Sequence, residues 1–174
     1  LVERVVWLAA LDFLLVSYHF AAQHFGVLSL YRVRAGRAAE TATRRLDRWF
    51  ALVVGGGGVV LAEALTRWIA FQERWIDPVL GAGWSAVVTR TVRDGGIGVV
   101  VSLTALMLYV ELRSHRPSLP RVAYVLGLSA MVLLAFLARD PFLFIVLWSV
   151  QHWTSAMGLT SLAASGGDRA SGTG

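Results

Sequence analysis

Apolar residues run almost unbroken over 5–31, 49–71, 97–110, 122–138 and 142–162, with short charged stretches between them. A helix needs about 20 such residues to cross a bilayer. The pattern predicts an all-α fold, a multi-pass transmembrane helix bundle of about five spans. The bundle would occupy residues 1–164, and the Gly/Ser-rich stretch 165–174 would be a disordered tail. The third run is short and opens on Gly95, Gly96 and Gly98. Before it, residues 79–92 are too few and too broken by glycine for an ordinary span, which predicts an interfacial or re-entrant helix. Residues 37–48 suit either a short amphipathic helix on the membrane surface or a solvated connector.

Composition agrees with a membrane protein. The chain is 56% hydrophobic and 16% charged over 174 residues. Every basic position is Arg, and a lysine-free chain rich in Ala, Gly, Val and Arg fits a GC-rich bacterial genome. The arginines gather in the connectors 32–48 and 113–121. By the positive-inside rule both connectors would be cytoplasmic, in a bacterial inner membrane, with the chain entering from outside. Clustering in short loops also argues against nucleic acid as a partner, despite the net charge of +5. Tryptophans such as Trp49 and Trp84 read as interface anchors. The chain has no cysteine, which excludes disulfides, thiolate metal sites and Cys nucleophiles.

The candidate chemistry lies in the first run, where DFLLVSYHFAAQHFG places Asp12, His19, Gln23 and His24 at membrane depth. Ionisable groups there cost at least ~2.5 kcal/mol each, so they are usually turned inward and used. Asp12, His19, Gln23 and Gly26 are spaced by seven, four and three, which puts them on one helix face. His24 points roughly 140° away from His19. The fifth run carries Gln151 and His152, and the second carries Glu63 beyond the glycines Gly55–Gly58. His19 and His152 both fall near the middle of spans entering from the same side, so they should share a depth.

Neutral imidazoles on separate helices, with carboxylates or amides to orient them, suit a metal site in a bundle. His19 and His152 are the better-spaced pair, with His24 as a third candidate and Glu63 as a carboxylate ligand. Asp12, Gln23 and Gln151 would orient them. His19 and His24 are five apart, which suits one ion only if a π-bulge intervenes. The same facing pair could ligate haem b, with the glycine run making room for a ring; close packing between spans explains those glycines equally well.

His24-Phe25-Gly26, with Trp148-Ser149 and His152 downstream, resembles the bacterial membrane β-carotene dioxygenases, in which an HFG-type motif precedes a second histidine motif in a later span. The resemblance implies non-haem iron and favours His24 over His19. The order of the motifs matches. The second motif here has a single histidine, and no earlier His-Gly motif is present.

The leading expectation is a membrane-embedded, metal-dependent oxidoreductase acting on a lipid-soluble substrate, with the lipid bilayer as its surroundings and a homo- or hetero-oligomer as its assembly. The alternatives are a bis-His haem b protein and a non-enzymatic bundle, transporter-like or an assembly subunit. In that bundle the polar residues would pack helices or relay protons.

Overall fold

The computed structural model describes residues 2–58, 60, 61, 77–138, 146, 148–154 and 157. Among these the regular elements are all helical. Helix α1 covers Val2–Arg34 and α2 covers Thr41–Phe50. A π-helical segment, Ala51–Gly57, continues α2 without a break. A short α3, Asp77–Leu80, precedes α4, Ala82–Leu112, and then α5, Leu119–Ala138. Residues 148–154 are also helical. Glu63 and the tail 165–174 lie outside the described residues.

α1 stops at a glycine. Gly36 has φ +73°, its N–H donates to the Val33 carbonyl (2.9 Å), and the Arg37 N–H donates to the Arg32 carbonyl (3.0 Å). This is the Schellman arrangement, which satisfies the last carbonyls of a helix and needs a left-handed residue. It turns the chain back so that α2 and the π-helical segment return along α1.

The segment expected to hold a re-entrant piece and a short span is instead one helix, the 31-residue α4. Gly95, Gly96 and Gly98 do not break it, and Gly96 is where other side chains approach. A Cβ there would lie 3.0 Å from Leu61 Cδ2 and 3.2 Å from Phe136 Cζ. Arg93 and Asp94 stay within the helix and pair at 2.8 Å. Each glycine costs a helix only about 0.5–1 kcal/mol relative to Ala, which the 31-residue helix tolerates.

Two helical stretches are long and apolar enough to cross a membrane, Ala86–Leu112 and Leu119–Leu137. The described residues therefore support two spans, not about five. Only 17% of the most apolar window in the first, and 39% in the second, is buried within the bundle. A core helix of a water-soluble protein would bury most of such a window. Val99, Val101, Leu106, Leu126, Leu134 and Leu137 instead face outward. The inward faces of these helices supply Val100, Met107, Val125, Leu128, Val132 and Phe136 to a core shared with Leu28, Phe50, Val54 and Trp148. Thr104 and Ser129 hydroxyls join α4 to α5 at 2.6 Å.

The arginine-rich end is not a solvated connector throughout. Arg121 bridges Asp47 and Glu111, and all three are almost fully buried. Glu111 also accepts from Arg37 Nη1 (2.8 Å) and from the Ser118 N–H (2.7 Å). Arg32 Nε stands 3.4 Å from Asp47 Oδ2. Three arginines and the carboxylates Asp47, Glu111 and Glu40 thus join the end of α1, α2, the end of α4 and the start of α5. Burial pushes the Asp47 carboxyl up, against the pull of Arg121. Glu40, at the edge, is held below the usual carboxylate range by the Thr43 hydroxyl and then by Arg37.

Candidate functional site

Three histidines from two helical stretches gather where α1, the π-helical segment, α5 and residues 148–154 meet. His19 and His24 come from α1, and His152 comes from the later stretch. The His19 and His152 rings stand 5.9 Å apart, centroid to centroid. His19 is at the surface of the bundle and His152 is half-buried.

His152 is gripped by Gln23. The Gln23 amide nitrogen donates to the His152 carbonyl (3.3 Å), so its oxygen is the acceptor for His152 Nδ1 at 2.8 Å. His152 Nδ1 therefore carries the proton in the neutral ring, and Nε2 carries the lone pair. Phe20 packs edge-on against His152 (5.3 Å) and Trp148 (4.4 Å), which limits how the imidazole can turn.

His24 is fully buried. Its Nδ1 meets Tyr124 Oη at 2.6 Å and the Gln151 amide nitrogen at 3.3 Å. Trp148 stands edge-on to the ring at 5.9 Å. With Nδ1 occupied, Nε2 is the atom left to meet another group, and it has no hydrogen-bond partner among the described residues. A buried polar atom left in that state costs about 1–3 kcal/mol, so its presence calls for an explanation.

The glycine run is filled by protein. A Cβ on Gly55 would come within 2.5 Å of His24 Cδ2, one on Gly56 within 2.9 Å of the Ser17 carbonyl, and one on Gly58 within 2.7 Å of Val132. These glycines let the π-helical segment lie directly on α1 and α5, so the room expected for a flat ring is occupied by packing. The π-helix lies on the segment facing His24, not between His19 and His24, where their spacing of five would need one.

The expected site residues divide. Gln23, His24, Gln151 and His152 form one connected cluster, with His19 against His152. Asp12 is exposed on α1, away from that cluster by sequence spacing of a full two turns. Glu63 is outside the described residues. Tyr124 is the addition, while Trp148 belongs to the downstream motif already named. Tyr124 sits in a helix with no charged side chain beyond its first turn, and no spacing rule links it to residue 24, a hundred positions away.

As a metal centre the donor set fits in part. His152 offers Nε2 with its ring held at Nδ1, and His24 offers a second ring held at Nδ1, which is how outer partners orient ligand histidines. Among the described residues no three His, Asp or Glu side chains stand close enough to share one ion. Comparison of the chain with protein-family models, curated proteins and solved structures finds no match.

Proposed function

We propose that this chain is a membrane-embedded oxidoreductase acting on a lipid-soluble substrate, with a metal ion held by its histidines. His152 and His19 are the first two ligands and Glu63 supplies the next, with His24 beside them. The observation that carries the reading is the treatment of the two inner imidazoles. Each is held at Nδ1 by a side chain from another helix, His152 by Gln23 and His24 by Tyr124. Packing alone does not require two rings to be fixed in this way. A bound iron would supply the redox chemistry, as imidazole and carboxylate ligands suit it. The chain's own residues do the rest: Gln23 fixes the tautomer of His152, Tyr124 holds His24, and Phe20 and Trp148 pack edge-on beside the inner rings. A substrate reaching these groups from the bilayer must itself dissolve there. The chain would sit in a bacterial inner membrane with connectors 32–48 and 113–121 cytoplasmic, and further spans would come from the segments beyond α4 and α5.

A non-enzymatic bundle is the second reading. It is favoured by the absence, among the described residues, of a third ligand within reach of the pair. Elemental analysis and an absorption spectrum of the detergent-purified protein separate the readings. Near-stoichiometric iron without a Soret band supports the proposal. A Soret band moves the assignment to a bis-His haem protein, and neither signal leaves a bundle whose polar residues pack helices or relay protons.

A further inference from the structure

We infer that the outward face of α2 is a binding surface for anionic phospholipid headgroups, independently of what the histidines do. α2 is ten residues long and two-sided. Thr43, Asp47 and Phe50 are buried, while Arg44, Arg45 and Arg48 are exposed and Trp49 is 63% exposed. Arg44 and Arg48, like Arg45 and Trp49, are one turn apart, so two parallel rows face out. Like charges one turn apart repel unless an anion lies between them.

Among the described residues nothing supplies that anion. Asp47 and Glu111 are taken up by Arg121, Arg37 and Arg32, and Glu40 pairs with Arg37 at 2.9 Å. The ion cluster locks α2 beside the ends of α1, α4 and α5, where Arg34, Arg113 and Arg116 are also exposed. Among the described residues these outward arginines have no carboxylate partner. The patch borders the outward apolar band, with Tyr109 (59% exposed), Leu112 (68%) and Leu119 (77%) next to it. Arg113 lies over the Tyr109 ring at 5.4 Å. Charge beside an apolar band, with an exposed tryptophan on the same helix as the arginines, is the geometry of a headgroup layer rather than of a soluble partner. Guanidinium groups take phosphate oxygens in pairs, which favours phosphodiester headgroups of net negative charge over zwitterionic ones.

Native mass spectrometry of the detergent-purified chain, titrated with equal phosphatidylglycerol and phosphatidylcholine, tests this. The wild type should retain phosphatidylglycerol selectively. Arg44→Gln, Arg45→Gln and Arg48→Gln should each weaken retention, by about fivefold per arginine removed. Arg90→Gln, exposed toward the other end of α4, should leave it unchanged, and each variant's melting temperature reports whether it folds. Equal retention of the two lipids overturns the inference, as does undiminished selectivity in the combined variant. Displacement of the lipid by excess inorganic phosphate would also overturn it, since that marks a small-anion site.

Discussion

Gln23 holds His152 at both ends of its amide: the nitrogen donates to the His152 carbonyl and the oxygen accepts from Nδ1. One side chain thus fixes the position, the tautomer and the direction of an imidazole on another helix. Gln23→Leu keeps the volume and removes both bonds. The expected cost is about 1–3 kcal/mol in detergent melts, because His152 Nδ1 is left half-buried and unmet. If His152 holds a metal, affinity should fall by about 10–100-fold as well. An unchanged melting temperature and unchanged metal content would contradict this role.

Tyr124→Phe asks the same question of His24. It removes the hydroxyl 2.6 Å from Nδ1 and nothing else. Destabilisation of about 1 kcal/mol is expected, and Gln151 still meets the ring. A loss of bound metal larger than the loss of stability would place His24 among the ligands. Equal small effects would leave it a packing residue.

Gly55 and Gly26 should respond in opposite senses to alanine. At Gly55 the new methyl would strike the His24 ring, so a cost of about 1–3 kcal/mol is expected. At Gly26 nothing lies within 4 Å, and the helix should gain up to about 1 kcal/mol. Thermal unfolding of the two variants side by side checks the close approach of the π-helical segment to α1. A neutral Gly55→Ala would refute it.

Arg121→Leu strips Asp47 and Glu111 of their shared partner in a nearly dry place. Removing one member of a buried ion cluster costs about 3–5 kcal/mol, because the charges left behind are uncompensated. Arg116→Leu, exposed on the same connector, should cost far less. Similar melting temperatures for the two would show that the cluster does not tie the helix ends together.

Acid should destabilise the fold through Glu40. Its carboxyl is held below the ordinary range, so it adds stability at pH values above the unfolded value, about 4. That part is lost as pH falls through the lower folded value. Asp47 works in the other direction, since burial raises its carboxyl and protonation relieves it. Glu40→Gln should therefore have a flatter melting profile below about pH 5 than the wild type. Parallel profiles would contradict the assignment.

How far the sequence spoke depended on the range of the interaction. The helical runs over α1 and α5 follow from local apolar length. The continuity of α4 does not, because Gly95, Gly96 and Gly98 read as breakers until Leu61 and Phe136 are seen against Gly96. The arginines of 32–48 and 113–121 look alike in the sequence. Only pairing across about seventy positions, as between Asp47 and Arg121, sorts Arg32, Arg37 and Arg121 into the fold and leaves Arg44, Arg45 and Arg48 outside it. Tyr124 was hidden for the same reason. A lone tyrosine in an apolar helix carries no sign of the histidine it will meet.

Metal content of the purified wild type, His19→Ala and His152→Ala, measured with melting temperatures on the same samples, tests the central claim most directly. The account predicts near-stoichiometric iron in the wild type and loss of most of it in both variants, while both still unfold cooperatively. A wild type without bound metal, or variants that keep theirs, would contradict it.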